Sequence, residues 1–126
     1  MLARTNVPSG LTMAWHVLRD RLVRCVEACF SCAKACVASA GTGLGTALVE
    51  RLTACSRICL DCAQACAAAC SANGGPIGLD RVRQALQVCA DACRDCGQRI
   101  RGDCPDCGTS CRQCAVACEA ALPGLA

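Results

Sequence analysis

The cysteines of this chain repeat in one spacing, C-x3-C-x2-C-x3-C, which restricts the possible folds more than any other feature. Three copies are complete and a fourth is truncated, with Ile100 in its last position. The copies are Cys25-Cys29-Cys32-Cys36, Cys55-Cys59-Cys62-Cys66, Cys107-Cys111-Cys114-Cys118 and Cys89-Cys93-Cys96. Steps of three and four residues return to the same face of an α-helix, so each copy predicts a narrow stripe of thiols. Two further cysteines, Cys70 and Cys104, extend this pattern and fall about 60° from the centre of a stripe.

The segments around the repeats predict where each helix begins and ends. Glycine-rich or Asn-Gly-Gly-Pro turns separate helices over about residues 11–39, 46–72 and 79–101 and a last helix that ends near residue 122. Before the last helix, Asp103 is the expected N-cap and Pro105 fits the first turn. Short connections favour an all-α, antiparallel up-down-up-down four-helix bundle. We therefore expect a flexible arm over residues 1–10, one bundle domain over 11–122, and a C-terminal tail over 123–126.

The two ends of this bundle are predicted to differ. At one end, near the first and third turns, lie the thiols of Cys36, Cys104 and Cys107. The opposite end is expected to be closed by hydrocarbon side chains: Leu11, Trp15, Leu18, Leu22, Leu79, Val82 and Leu86. If metal enters this bundle, the thiol-rich end should be the entrance, with Cys104 its most exposed member.

Charge and composition exclude several classes of function. The net charge is only +3, positive and negative side chains are interleaved, and the chain has one Phe, one Trp and no Tyr. This pattern argues against a nucleic-acid-binding surface. No signal peptide or membrane span is recognisable, so we expect a cytoplasmic protein whose thiols are kept reduced. So many cysteines in a reducing compartment indicate metal binding.

Three interpretations without stored metal fit less well. Cysteine can fill a core as a small hydrophobe, but leucine would fill that space better. Disulfides are disfavoured because cysteines one helical turn apart do not have the geometry for easy closure. A dithiol redox site such as Cys104-Pro105-Asp106-Cys107 would need a βαβ context that the sequence lacks. The redox protein remains a weaker alternative, and we expect no enzymatic activity.

Among metals, Cu(I) fits the unbroken rows best. Iron–sulfur clusters take separate groups of four cysteines, whereas these thiols form continuous rows. Cu(I) is a soft ion that prefers thiolates, and a bridging thiolate can serve two ions, which allows roughly one Cu(I) per Cys. Each Cu⁺ replaces about one proton, so a filled core stays neutral, whereas Zn²⁺ in tetrahedral four-thiolate sites would leave buried negative charge. A zinc or mixed-metal thiolate store stays open as the alternative.

These repeats resemble the four-helix-bundle copper storage protein (Csp) family, in particular its cytosolic branch, over residues 11–122. The resemblance implies multiple Cu(I) ions stored by cysteines that line the bundle, a homo-oligomer that is a tetramer, and a copper chaperone as candidate donor. The ligands it implies are Cys25, Cys29, Cys32, Cys36, Cys55, Cys59, Cys62, Cys66, Cys70, Cys89, Cys93, Cys96, Cys104, Cys107, Cys111, Cys114 and Cys118. The departure from the pattern is Ile100, which predicts a locally incomplete row.

Met13 and His16 are the remaining side chains that could ligate copper. Counted back from Cys25, both fall on other faces of the first helix than the thiols. We expect them at the surface or between subunits rather than among the ligands.

Overall fold

A computed structural model of the chain describes residues 13–71, 78–100 and 102–125. These residues form four α-helices and a short 3-10 turn. The helices are α1 (Trp15–Ala40), α2 (Thr46–Cys70), α3 (Leu79–Ile100) and α4 (Pro105–Ala121), and the turn covers Leu122–Gly124. The predicted all-α four-helix bundle is confirmed. The expected arm over residues 1–10 and the loop over residues 73–76 lie outside the described residues.

Contacts between thiols give the directions of the helices. In α1 and α4, Cys25 faces Cys118 and Cys36 faces Cys107, so these two helices run in opposite directions. In α1 and α3, contacts of Cys29 with Cys89 and of Cys32 with Cys93 show that the helices run in the same direction. In the same way, α2 runs parallel to α4, because Cys55 contacts Cys111 and Cys59 contacts Cys114. The result is the up-down-up-down arrangement.

Two predicted helix starts are corrected by the structure. α1 begins at Trp15 rather than near Leu11, because Ala14 has an extended backbone with ψ of 146°. The N-cap of α4 is Cys104, with φ of −137° and ψ of 77°, and not Asp103. The amides of both Asp103 and Cys104 donate to the carbonyl of Ile100, which closes the end of α3 and moves the cap one residue along. The starts at Thr46 and Leu79 are as predicted, and Pro105 lies in the first turn of α4 as expected.

The core of the bundle consists mainly of thiols, alanines and a few larger aliphatic side chains. Among the described residues, Ser56 is the only polar side chain that is buried, and no charged side chain is. Ion pairs lie on the outer surface, where Asp95 accepts from both Arg51 and Arg99. The interior is therefore an apolar space in which sulfur is the main atom able to bind a ligand.

Both ends of the core are closed by hydrocarbon. At the end formed by Trp15, Cys70, Leu79 and Ala121, here the hydrocarbon end, the buried side chains are Leu18, Leu22, Val82, Leu86 and Leu125. At the other end, here the thiol end, Leu52 and Ile100 are also fully buried beside the thiols. The first closure was predicted, except that Leu11, also expected there, lies outside the described residues. The contribution of Leu52 to the thiol end was not predicted.

The C-terminal residues pack on the bundle. After α4, the 3-10 turn brings Leu125 into the core at the hydrocarbon end. A Cβ at Gly124 would lie 2.9 Å from the Met13 sulfur and 3.0 Å from a Leu18 methyl, so a larger residue there would require these side chains to shift. Thus residues 123–125, which we expected as a tail, form part of the end closure.

No helix in the described part of the chain has the length and apolar character that crossing a bilayer requires.

Candidate metal centre

The cysteine stripes lie in the interior of the bundle. Fifteen of the 17 thiols are buried, and the other two, Cys70 and Cys104, are half-buried. These are the two cysteines that the helical period places at the edge of a stripe, so their partial exposure follows from their phase. All 17 cysteines are free thiols, which leaves every sulfur available to a metal.

Four groups of four buried thiols have sulfur atoms within 4.8 Å of one another. Ordered from the hydrocarbon end, they are Cys25/Cys29/Cys62/Cys118, Cys29/Cys89/Cys114/Cys118, Cys32/Cys59/Cys93/Cys114 and Cys32/Cys36/Cys55/Cys111. The third group takes one thiol from each helix. Each quartet is thus close enough to enclose a metal ion, and together they run along the bundle axis.

Neighbouring quartets share thiols, which is the main geometric property of this site. Cys29 and Cys118 belong to the first and second quartets, Cys114 to the second and third, and Cys32 to the third and fourth. The sulfur atoms therefore form a continuous chain rather than separate cages. A shared thiolate must bridge two ions, which suits a soft monovalent metal better than closed tetrahedral zinc sites.

Short contacts between thiols connect the helices across the core. The shortest is 3.3 Å between the sulfurs of Cys25 and Cys118, followed by 3.4 Å between Cys36 and Cys107. Cys59 and Cys93 are also 3.4 Å apart. Because these contacts join different helices, the bundle itself brings the sulfurs together before any metal is bound.

The pKa shifts of the thiols run in both directions, and a thiol whose pKa is raised must lose its proton when a metal binds. Burial raises the pKa of the Cys107 thiol, although hydrogen bonds from its neighbours oppose the shift. Burial also raises the pKa of Cys70, where the positive charge of Arg19 acts in the opposite direction. A hydrogen bond from the Cys118 thiol has the reverse effect on Cys25 and lowers its pKa to about 6. Binding of a metal to neutral thiols releases protons, so the charge of each ion is balanced within the core.

Five predicted ligands lie outside the four quartets: Cys66, Cys70, Cys96, Cys104 and Cys107. They extend the row at its two ends rather than leaving it. Cys107 is in contact with Cys36 of the fourth quartet. At the thiol end, Cys104 is half-buried while Cys36 and Cys107 are almost fully enclosed. Cys104 is therefore the thiol most accessible to solvent at that end, and Cys70 has this position at the other.

A groove along the wall of the bundle also reaches the thiol core. It lies between α2 and α3, has a volume of about 410 Å³, and includes Cys55 and Cys96 in its lining. Those two side chains are only 3% and 2% exposed, and the Arg51–Asp95 ion pair spans the groove at 3.0 Å. Sequence periodicity did not indicate this groove, because the stripe identifies the inner face of each helix but not the distance between neighbouring helices.

Met13 and His16 lie away from the quartets. Met13 is half-buried against the core at the hydrocarbon end, where it packs on the backbone of Gly124. His16 is exposed on the first turn of α1. His16 belongs to none of the four groups of clustered ligands among the described residues.

Comparison with known proteins identifies the group to which this bundle belongs. The family model for copper storage proteins matches residues 18–123, which include α2, α3, α4, all but the first three residues of α1, and every cysteine. No curated protein sequence matches the chain.

Solved structures of a Streptomyces lividans protein are similar to the chain. A structure of its cytosolic copper storage protein with five coppers is 37% identical, has a TM-score of 0.61, and matches 88% of this chain and 99% of its own. The same protein loaded with 10 copper equivalents is 37% identical, with a TM-score of 0.57 over 84% of this chain and 86% of its own. A variant of it with two histidines replaced by alanine is 38% identical, with a TM-score of 0.60 over 85% and 97%. With the family model matching most of its length, the chain belongs to the copper storage protein family.

Proposed function

We propose that this protein stores Cu(I) in the cytosol by binding many ions to the thiolates inside its helix bundle. The observation that supports this most directly is the chain of quartets that share Cys29, Cys118, Cys114 and Cys32. Shared thiolates allow adjacent ions to be bridged, so capacity can approach one ion per cysteine. The structures of the Streptomyces lividans relative with five coppers and loaded with 10 copper equivalents support the same role here.

All 17 cysteines act as ligands in this proposal. Twelve of them form the quartets, and the remaining five extend the row toward its two ends. The fully apolar surroundings favour a metal–thiolate core without net charge, because an unbalanced charge would be costly to bury. One Cu⁺ for each thiolate meets this condition.

The protein has no catalytic step in this proposal. Most of its thiols are enclosed and in similar settings, whereas a dithiol enzyme needs one or two reactive thiols that a substrate can reach. The half-buried Cys104 instead suits the transfer of copper from a donor thiolate, such as that of a copper chaperone. We also propose that the chain forms a homo-oligomer, a tetramer by its resemblance to the family.

A zinc store is the second candidate, because each quartet has the four sulfurs that a tetrahedral Zn²⁺ site requires. The two functions differ in what happens when both metals are present. Reduced protein is loaded anaerobically with Zn²⁺, exposed to a Cu(I) donor, separated from free metal and analysed for both elements. Copper storage predicts complete loss of zinc and a copper content well above four ions per chain. Retention of zinc with little copper would instead establish the zinc store.

A further inference from the structure

The outer face of α1 carries an apolar stripe that none of the described residues covers. Val23, Phe30 and Val37 are 39%, 53% and 63% exposed and follow one another at intervals of seven residues. Phe30 is the only phenylalanine in the chain, and its side chain lies outside the core. A seven-residue step returns to the same side of a helix, which is the pattern of a helix that packs against a second helix.

A groove between α1 and α2 continues this stripe. The groove has a volume of about 500 Å³, and Phe30, Ala33, Val37, Ser56 and Leu60 contribute to its lining. Ala33 and Ser56 are buried at its base, and Leu60 is 39% exposed on its α2 side. In the heptad that places Val23, Phe30 and Val37 at a, the d positions are Val26, Ala33 and Ala40. Stripe and groove together form one apolar surface, here called the α1 face.

The charges beside the α1 face are self-complementary. Glu27 and Lys34 occupy successive e positions, both are exposed, and neither has an ion pair among the described residues. When two identical helices pack antiparallel, e positions of one lie near e positions of the other. Glu27 of each copy then meets Lys34 of the other, so a single two-fold axis generates two ion pairs. The same register sets Phe30 opposite the small Ala33.

We propose that the α1 face binds a second copy of this chain through antiparallel, two-fold packing of α1 against α1. A two-fold contact uses the same patch on both subunits, so that patch must be complementary to itself. The charges of Glu27 and Lys34 and the pairing of Phe30 with Ala33 meet this condition. This inference rests on the proposed homo-oligomer and specifies its surface, but it does not depend on the metal that is stored.

The first test reverses the two charges singly and together. Glu27→Lys and Lys34→Glu each place like charges opposite one another twice, so each should weaken self-association by about tenfold at low salt. The double variant restores opposite charges and should return to the affinity of the wild type. Sedimentation equilibrium of the reduced, metal-free proteins measures these affinities. Single variants that associate as tightly as the wild type, or a double variant that is not rescued, would overturn the proposal.

The second test buries a charge in the contact. Phe30→Glu should reduce the mass of the assembled particle by half, while Val116→Glu, at a 64% exposed position on α4, should leave it unchanged. Far-UV circular dichroism and copper capacity should match the wild type in both variants, because neither side chain is in the core. If the Phe30→Glu variant forms a particle of the same mass as the wild type, the α1 face is not the contact surface, although the homo-oligomer still stands. A monomeric wild type would overturn the homo-oligomer as well, and neither result would affect copper storage.

Discussion

At the scale of single residues, the position of a cysteine on the helical stripe determines its setting in the core. Cys70 and Cys104, at the stripe edge, are the two half-buried thiols, and the other 15 are buried. This could be predicted because helical phase depends only on spacing. The closure of the thiol end by Leu52 could not be predicted. Helical phase shows that Leu52 lies on the same face as the thiols, but it does not show which neighbours its side chain contacts.

Ile100 occupies the position that a cysteine has in the complete repeats, and its side chain is fully buried at the thiol end. Ile100→Cys should therefore add a ligand and raise the copper capacity by about one ion. The variant removes buried methyl groups, so the metal-free form should lose about 1–2 kcal/mol in its free energy of unfolding. Copper titration and urea denaturation measure the two effects. An unchanged capacity with rapid alkylation of the new thiol in the folded protein would show that position 100 is not in the ligand row.

Cys107 should make the stability of the metal-free protein depend on pH. Burial raises its pKa above that of a cysteine in the unfolded chain, which is about 8.5. The folded state then holds this proton more tightly, so the stabilisation is complete below about pH 8.5 and is lost as pH rises through the folded pKa.

The comparison with Cys107→Ser isolates this effect. The free energy of unfolding of the wild type, relative to that of the variant, should decrease between about pH 7 and pH 10. Urea denaturation under anaerobic, reducing conditions at several pH values gives the difference. A difference that stays constant or increases with pH would show that burial does not raise the pKa of this thiol.

At the scale of the helices, the number, order and inner faces of the elements could be predicted, while some boundaries could not. Stripes with the helical period define four amphipathic segments, and short turns join them. The starts of α1 and α4 depend instead on the local backbone, as at Ala14, and on which carbonyl the amide of Cys104 reaches. Those choices depend on packing at the ends of the bundle.

The two ends of the helices should differ in how they take up copper. Cys104 and Cys107 lie at the thiol end, so replacing both with serine should slow loading from a Cu(I)-thiolate donor far more than it lowers final capacity. The matched pair at the hydrocarbon end is Cys66 and Cys70, whose replacement should lower capacity with little effect on the initial rate. Stopped-flow mixing gives the rate, and metal analysis gives the capacity.

Two other results would place the entrance elsewhere. Equal slowing by both pairs would indicate that copper also enters past the half-buried Cys70. If neither pair of substitutions slows loading, copper enters through the α2–α3 groove that reaches Cys55 and Cys96. Each result contradicts the thiol end as the single entrance.

At the scale of the whole molecule, the bundle should be folded before copper arrives. Its thiols already pack as core residues beside Leu18, Leu22, Leu52 and Leu86. Far-UV circular dichroism of the reduced, metal-free protein should therefore show nearly the same helix content as the loaded protein. A metal-free chain without helical signal would mean that metal binding drives folding, as it does in zinc fingers.

The central claim is that one continuous row of thiolates holds the copper. Stepwise anaerobic addition of Cu(I) to the reduced protein, with protein thiols and bound copper counted in the same sample, tests this directly. The shared quartets predict that binding continues well past four ions and saturates near one Cu(I) per cysteine, about 17 per chain. Saturation at four ions per chain, with the thiols outside four closed sites still free to react, would contradict it.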